Sequence, residues 1–315
     1  MSAGGRTLVT GGLGLVGSAL ARKLEREGHE VVVLDDASSA LARCRDGIPG
    51  TLLHRGDVAQ ANDLAGLPDG PWDVVYHLAA QADVPRSVRE PLADFRANAL
   101  GTLNLLEWCR SRQVGRFVYA STVAVYDPSA MKPIREDAPL APSSPYGASK
   151  LAGEAMVTAY QRTYGLSTCV LRLFNVYGPG MSKYVIHDLI RKLQKDSHTL
   201  EILGTGEQVR DYVYVEDAVA GFMAAAERSE PGAVMNLGSG QGIRIADLAD
   251  EISRAMGLTG VQKVFTGTSW AGDIDAWYAD ASRLHALGWA PATSLQEGLV
   301  ATVASLVGSD DEAGE

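Results

Sequence analysis

The sequence has few cysteines and no long apolar run. Its three cysteines, Cys44, Cys109 and Cys169, are far apart and form no Cys-x-x-Cys pair. We therefore expect neither a disulfide framework nor a zinc knuckle, and the histidines show no metal-ligand spacing. No stretch approaches the roughly 20 apolar residues of a membrane-spanning helix. The N-terminal residues run straight into an apolar segment, and we expect a cytoplasmic protein that binds no metal and no membrane.

Positive charge is also scarce. There are 28 Lys and Arg residues against 38 Asp and Glu, which gives a formal net charge of −10. Excess acid repels phosphate backbones, so nucleic acid is not an expected partner. Small anionic ligands remain compatible with this charge, because local groups can oppose the overall field. Four of the acids lie within residues 309–315, which we interpret as a disordered acidic tail.

Short β-branched runs alternate with longer amphipathic stretches in the first half of the chain. This alternation predicts an α/β fold built on a doubly wound parallel sheet of the Rossmann type, with a smaller interleaved α/β lobe for the substrate. We assign residues 1–174 and about 208–235 to the first domain, and about 175–207 and 236–308 to the second. The predicted strands are 6–10, 30–34, 51–54, 73–78, 116–120 and 168–173. The predicted helices are 15–27, 91–112, 147–164, 184–195, 216–226 and 245–256.

A glycine-rich turn, Thr10-Gly11-Gly12-Leu13-Gly14-Leu15-Val16-Gly17, follows the first predicted strand. Glycine permits positive φ and close approach of the backbone to a pyrophosphate, although a flexible turn is the alternative. The second strand ends in Asp35 and Asp36, where a carboxylate accepts the ribose hydroxyls of NAD and repels the 2′-phosphate of NADP. The alternative for Asp35 is a loop cap. Asp57 and Val58 follow the third strand and either reach the adenine or form a solvated turn.

Tyr146 and Lys150 are spaced i and i+4, which places them on one face of a helix. A phenol is a weak base at neutral pH, but a neighbouring ammonium and a nicotinamide cation favour the phenolate. Such a base takes an alcohol proton while hydride leaves for NAD. An isolated Tyr-x-x-x-Lys is commonly structural. The glycine loop upstream, and Ser121 and Thr122 at the end of the fifth strand, favour the catalytic role.

Several motifs together resemble those of the nucleotide-sugar epimerase/dehydratase family of extended short-chain dehydrogenases/reductases, and the UDP-glucose 4-epimerases within it are the most similar. The resemblance spans residues 6–291 and implies NAD as cofactor and a nucleotide-activated sugar as substrate. Its motifs are the glycine loop, His77-Leu78-Ala79-Ala80-Gln81, Asn98-x-x-Gly101-Thr102, Ser121-Thr122, Tyr146-x-x-x-Lys150, Arg172-Leu173-Phe174-Asn175-Val176-Tyr177-Gly178-Pro179, Gly204-x-Gly206-x-x-x-Arg210-Asp211-Tyr212 and Asn236-Leu237-Gly238-Ser239-Gly240.

The resemblance assigns a role to each matching residue. It implies that Thr122 hydrogen-bonds the sugar O4, that Tyr146 is the base, and that Lys150 holds the nicotinamide ribose and tunes Tyr146. Asn175 would contact the diphosphate and Arg210 would neutralise it. The other expected cofactor contacts are Gly11, Gly14, Leu15, Gly17, Asp35, Asp36, Asp57, Val58, Leu78, Ala79, Ala80 and Asn98. The other expected substrate contacts are Gln81, Asp273 and Trp277.

The reaction type depends on the two residues after Thr122. In the family's 4,6-dehydratases these positions carry an Asp-Glu pair, whereas this chain has Val123 and Ala124, which cannot transfer a proton. We therefore expect a C4 epimerase with tightly bound NAD. The alternatives are a 4-ketoreductase or dehydrogenase acting on a different activated sugar, and a non-catalytic NAD-binding protein. The resemblance also implies a homodimer that pairs the helices around 98–112 and 147–164.

The chain departs from the family near its C-terminal end. Trp270 occupies the position of an arginine that usually contacts the diphosphate. Either another cation, Lys183 or Arg244, replaces it, or the substrate carries a different activating group. Trp270 itself either stacks on a ring of the substrate or packs. Trp277 matches a position that is small in epimerases accepting N-acetylated sugars, so we predict selectivity for hexoses. The segment 180–185 is short, which leaves the nucleobase open.

Overall fold

The computed structural model describes residues 4–268 and 274–311, with no account of the side chains of residues 308–311. A seven-stranded parallel sheet forms its larger part, in the order β10-β6-β5-β4-β1-β2-β3. Because β1 lies between β2 and β4, the direction in which the strands are added reverses there, and such switch points bind ligands at the carboxyl ends of the strands. The strands are β1 (Arg6–Thr10), β2 (Glu30–Asp35), β3 (Leu52–Arg55), β4 (Val74–His77), β5 (Arg116–Thr122), β6 (Thr168–Leu173) and β10 (Ala233–Leu237).

Successive apolar residues of these strands enter separate cores on the two faces of the sheet. Val9 packs in one core and Leu8 in the other, and neither is exposed to solvent. The alternation explains why the strands are apolar throughout, since both faces are covered by helices. The helices are α1 (Leu15–Arg26), α2 (Ala61–Ala65), α3 (Val84–Arg89), α4 (Pro91–Phe95), α5 (Gly101–Ser111), α6 (Pro145–Tyr164), α7 (Tyr184–Lys195), α8 (Val215–Arg228), α9 (Ile245–Ala255), α10 (Ser282–His285) and α11 (Leu295–Asp311).

A smaller lobe is built around a central strand, β9, which pairs with β7, β11 and β13. A separate parallel pair joins β8 and β12. These strands pack with α7, α9 and α11 around a third apolar core. Their bounds are β7 (Asn175–Tyr177), β8 (Thr199–Ile202), β9 (Val209–Tyr214), β11 (Gly242–Arg244), β12 (Gln262–Phe265) and β13 (Ala276–Trp277).

The predicted α/β class and doubly wound parallel sheet are confirmed, with three differences in detail. The helix predicted at 91–112 is divided into α4 and α5 by one wider π turn, Arg96–Leu100. Strand β9 lies within the segment 208–235 assigned to the first domain, but its hydrogen-bonded partners belong to the smaller lobe. Helix α11 continues to Asp311, so the first three residues of the predicted tail are helical.

None of the helices described is long and apolar enough to cross a membrane.

Candidate active site

One large cavity, of about 1270 Å³, opens at the carboxyl ends of β1, β4 and β5 and extends between the two lobes. Almost every residue that the sequence assigned to a site lines it, although these residues come from many separate segments. The lining residues among them are Gly11, Gly14, Leu15, Gly17, Asp35, Asp36, Asp57, Val58, Leu78, Ala79, Ala80, Gln81, Thr122, Tyr146, Lys150, Asn175, Arg210 and Trp277.

The glycine loop has the geometry that a dinucleotide needs. Gly11 has a φ of +68°, and a Cβ there would lie 2.6 Å from the Ala79 nitrogen. A Cβ on Gly17 would overlap the Gly11 carbonyl oxygen, so these two glycines are required by the protein itself. At Gly14 a Cβ would meet only the Gly11 oxygen, at an ordinary 3.4 Å, which means that the fold does not require glycine there. Gly14 is the N-cap of α1 and has no side chain over the first N–H groups, which fits a bound pyrophosphate.

Asp35 stabilises this loop and also lines the cavity. Its two carboxylate oxygens accept hydrogen bonds from the backbone N–H of Leu13, at 3.0 Å, and of Ala37, at 2.8 Å. Burial raises the pKa of this carboxyl above its usual value. The loop-cap interpretation therefore describes Asp35 correctly, while each oxygen keeps a lone pair for a ribose hydroxyl. Asp36 is exposed, and it accepts hydrogen bonds from the amide and hydroxyl of Ser38.

Asp57 and Val58 form a tight turn at the adenine end of the predicted cofactor site. The Asp57 carboxylate accepts from the Ala59 amide at 2.8 Å, and the Asp57 amide donates to Asp63 at the same distance. Val58 is buried. The hydrogen bonds of Asp57 are therefore those of a turn. Asp57 and Val58 nevertheless line the cavity.

Asn98 is a predicted cofactor residue that does not line the cavity. Its side chain is fully buried. The amide donates to Ser149 and Asp94 and to the Gln81 carbonyl, and its oxygen accepts from the Gln81 amide. These hydrogen bonds hold the segment after β4 in place, and they leave one lone pair of the Asn98 side-chain oxygen unused.

Thr122 and Tyr146 are brought together by close packing of α6 against the end of β5. A Cβ on Gly147 would overlap the Ala124 carbonyl oxygen, so glycine permits this approach. Ser144 caps α6 by accepting from the Gly147 amide, at 3.1 Å. The Thr122 side chain lies near the Tyr146 phenol and lowers its pKa, but burial has the larger effect and raises that pKa to about 12.

Lys150 lies one turn further along α6 and is only 2% exposed. Its Nζ lies 4.4 Å from the centroid of the Tyr119 ring. Burial lowers the pKa of Lys150 to about 7, against the opposing influence of Glu154 and Asp94. The protein alone therefore disfavours both the ammonium and the phenolate. The sequence argument that the Lys150 ammonium and a nicotinamide cation together favour the Tyr146 phenolate did not account for this desolvation.

Two buried acids beside Lys150 were not identified from the sequence. Asp94 accepts from the Ser149 hydroxyl at 2.6 Å, and burial raises its pKa. Glu154 accepts from the Ser121 hydroxyl and forms an ion pair with Arg172 at 2.7 Å. Two signals were present: Arg172 is a charge in an otherwise apolar strand, and Glu154 lies four residues after Lys150.

The smaller lobe supplies the opposite wall of the cavity. The Asn175 amide donates to the Asp211 carbonyl at 2.9 Å, and Trp277 in β13 is the register partner of Arg210 in β9. Lys183 lines the cavity, and burial lowers its pKa.

Arg244 lies outside this lining. It forms ion pairs with Asp247, at 2.7 Å, and with Glu207. Of the two cations suggested as replacements for the missing arginine, Lys183 is therefore the one at the cavity. Trp270 and Asp273 lie outside the described residues. Within the described ranges, no group of three His, Cys, Asp or Glu residues is arranged to hold a metal.

Comparison with known proteins gives one consistent family. The model of the NAD dependent epimerase/dehydratase family matches residues 7–238. A UDP-glucose 4-epimerase from Mycolicibacterium smegmatis is 34% identical over 95% of this chain and 97% of its own length. A solved UDP-glucose 4-epimerase with UDP-glucose from Thermotoga maritima has a TM-score of 0.90 and 32% identity, covering 96% of this chain and 99% of its own. A dTDP-glucose 4,6-dehydratase from Streptomyces venezuelae, solved with NAD bound, has a TM-score of 0.88 and 30% identity, covering 98% of each chain.

Proposed function

The chain belongs to the NAD-dependent epimerase/dehydratase family, and on that premise we propose that it interconverts the C4 epimers of a nucleotide-activated hexose of the UDP-glucose/UDP-galactose type. One observation carries the proposal. Thr122 and Tyr146 line the same cavity as the cofactor loop, and the two residues after Thr122 carry no acid or base. This set of groups supports redox chemistry at one carbon.

The residues after Thr122 argue against dehydration. Val123 and Ala124 form a 3-10 turn at the end of β5, and both line the cavity. Eliminating water from a sugar requires an acid for the leaving hydroxyl and a base for the carbon-bound proton. Alkyl side chains at these two positions provide neither group. The dehydratases in the family therefore share the fold and the cofactor with this chain, while its own residues favour epimerisation.

The proposed cycle uses the side chains around C4. Tyr146 takes the proton of the sugar O4, and Thr122 holds the same oxygen by a hydrogen bond. When bound at the glycine loop, NAD would supply the hydride-transfer chemistry at C4, both the oxidation to the 4-keto sugar and the reduction on its other face. Since burial raises the pKa of Tyr146 to about 12, positive charge must come close to the phenol before it can lose its proton. Lys150, on the next turn of α6, provides such a charge when it is protonated.

The diphosphate is held on the wall opposite the base. Asn175 and Arg210 line the cavity there, and Lys183 adds a third polar group at the N-cap of α7. Because each catalytic cycle restores the oxidised cofactor, NAD need not leave between turnovers. The nucleobase is left to experiment.

The test is C4 inversion by the purified protein without added cofactor. UDP-glucose, UDP-galactose and their dTDP, GDP and CDP counterparts are supplied in turn, and the epimers are separated. We expect an inverted product, and Tyr146→Phe should reduce its rate by at least about 100-fold, since the base is lost. Reduction of the bound cofactor with no inverted product would instead support a dehydrogenase. Full activity of the Tyr146→Phe variant would contradict the assigned base.

A further inference from the structure

Tyr184, the first residue of α7, has an unusual backbone and an unusual contact. Its φ is +74°, a left-handed conformation that costs free energy for any residue with a Cβ. Its phenol donates a hydrogen bond to the Ala82 carbonyl, at 2.9 Å, which joins the smaller lobe to the segment that follows β4. A bulky aromatic residue in a conformation suited to glycine indicates that the side chain is needed where it lies.

Tyr184 lines the same cavity as the proposed base, Tyr146. The Lys183 ammonium lies 5.1 Å from the centroid of the Tyr184 ring. Tyr184 is 53% exposed although its hydroxyl is bonded. The exposed part of Tyr184 is therefore available to a ligand that occupies the cavity.

The acceptor of this hydrogen bond is held firmly. The Gln81 side-chain oxygen accepts a hydrogen bond from the Asp83 amide at 2.6 Å. Its NH₂ group donates to the Asp83 carbonyl at 2.9 Å and to the Asp94 carboxylate at 3.0 Å. Asp94 in turn accepts from Ser149 on the catalytic helix α6. The Ala82 carbonyl thus belongs to the same hydrogen-bonded framework as the base, so the Tyr184 bond fixes the lobe that holds the diphosphate relative to that base.

We propose that Tyr184 closes the active site over the sugar and retains the 4-keto sugar between the removal of hydride from C4 and its return. This inference rests on the proposed function, because only a cycle that oxidises and then reduces one sugar requires such retention. Loss of the C4 hydride and the O4 proton leaves a carbonyl at C4. If that ketone leaves the cavity, the cofactor stays reduced and the enzyme stops.

Tyr184→Phe removes only the phenolic oxygen and keeps the ring and the backbone. Two quantities are measured on the protein as isolated with its cofactor. One is the dissociation rate of UDP-glucose, or of the tightest-binding sugar of the dTDP, GDP and CDP panel, on displacement by the free nucleoside diphosphate. The other is the 4-keto sugar released per C4 inversion, trapped with borodeuteride and counted by mass spectrometry. We expect both to rise about fivefold, since one hydrogen bond is lost.

Tyr184→Gly removes the ring and relieves the backbone. It should increase both quantities further while leaving the unfolding temperature unchanged or higher. Tyr164→Phe is the matched control, because Tyr164 is 54% exposed and lies outside the cavity lining. Gln113→Gly is a second control, because Gln113 also has a positive φ, +52°, and lies on another surface. It measures the effect on stability of removing a strained positive φ without changing the cavity.

The outcomes separate the inference from the proposed function. If the wild type inverts no sugar of the panel, the proposed function is wrong. The dissociation rates still test whether the hydrogen bond between Tyr184 and Ala82, called here the Tyr184 bridge, retains the ligand. If Tyr184→Phe dissociates at the wild-type rate and releases no additional ketone, the bridge does not retain the sugar and the inference is overturned. A rise of equal size in Tyr164→Phe would overturn it as well.

Discussion

The amine of Lys150 is buried, and burial disfavours its charged form. Its pKa is about 7 in the folded protein, against 10.5 for the free side chain. Between these two pH values the unfolded chain holds a proton that the folded chain lacks, so the free energy of unfolding rises with pH across that window. Below it, the full cost of the buried charge is present. This cost is consistent with a functional position that is not optimised for stability.

Replacing Lys150 by methionine should therefore stabilise the cofactor-free protein in a pH-dependent way. We expect the unfolding temperature of Lys150→Met to exceed that of the wild type most at about pH 6, with the difference shrinking toward about pH 10. Thermal unfolding across this range measures it. Lys23→Met is the control, since Lys23 is exposed on α1. A difference that stays constant with pH would show that lost packing, and not the charge, dominates.

Lys183 and Arg244 are the two cations that could replace the missing arginine at the diphosphate, and their surroundings differ. Lys183 lines the cavity, whereas Arg244 is already paired with Asp247 and Glu207. We expect Lys183→Ala to weaken binding of the nucleoside diphosphate about tenfold, as for the loss of one charge-assisted contact. Arg244→Ala should leave binding unchanged. Calorimetric titration with UDP measures both variants, and equal effects would remove Lys183 as the replacement cation.

Trp277 tests the prediction of hexose selectivity. Its ring is 8% exposed, packs in a small core with Tyr126 and Phe174, and reaches the cavity lining. Trp277→Ala should raise kcat/KM for the N-acetylhexosamine nucleotide relative to the hexose nucleotide about tenfold, because the acetamido group gains room. The ratio is used because the cavity left in the core also lowers stability. Equal turnover of both sugars by the wild type would remove this residue as a gate.

At the scale of elements, the strand–turn–helix unit β1–α1 contains some glycines that packing requires and others that only a bound cofactor would require. A Cβ on Gly17 would overlap the Gly11 oxygen and lie 2.8 Å from the Gly12 Cα, whereas Gly14 has room for a methyl group. The same glycine-rich loop therefore contains one position that the packing requires to be glycine and another at which the fold leaves room for a side chain.

Alanine at Gly17 should therefore reduce stability, whereas alanine at Gly14 should reduce NAD binding. Gly17→Ala is expected to lower the free energy of unfolding by about 1 to 3 kcal/mol, since backbone must move. Gly14→Ala should unfold at the wild-type temperature when the cofactor is absent but bind NAD at least about tenfold more weakly, because its methyl group lies where the pyrophosphate approaches the helix. Thermal unfolding and fluorescence titration with NAD measure the pair. Normal NAD binding by Gly14→Ala would place the pyrophosphate elsewhere.

For the whole molecule, the surface of α6 supports the proposed homodimer. Ala148, Ala155 and Ala159 are exposed along one face of that helix, with Met156 beside them. Phe95 on α4 is 54% exposed, and α4 packs against α6. Small residues in a row allow two helices to approach closely, which suits pairing with a second copy of α6.

Ala155→Arg should convert the dimer to a monomer without unfolding it, since the position is exposed and arginine is a good helix former. Light scattering at micromolar concentration measures the mass. Ala220→Arg is the matched control, because Ala220 is exposed on α8, whose neighbours pack in the core on the opposite face of the sheet. A wild type that is already monomeric would dispose of the dimer.

Local patterns determined the elements of the large sheet. Apolar β-branched runs are buried on both faces wherever they pair, so the six strands predicted in the first half occur close to their expected positions. The glycine loop, Asp35, Tyr146 and Lys150 were identified because their chemistry depends on spacing within one turn or one helix. These features depend on near neighbours in sequence, and the chain alone contains them.

Only the tertiary structure decided what surrounds those groups. Asn98 satisfies its amide within the protein, and Lys150 and Tyr146 have their pKa values shifted by burial. Strand β9 belongs to the smaller lobe, and Tyr184 bonds a carbonyl 102 residues away. Desolvation and long-range hydrogen bonds arise only when distant segments pack together, and no local pattern in the sequence encodes them.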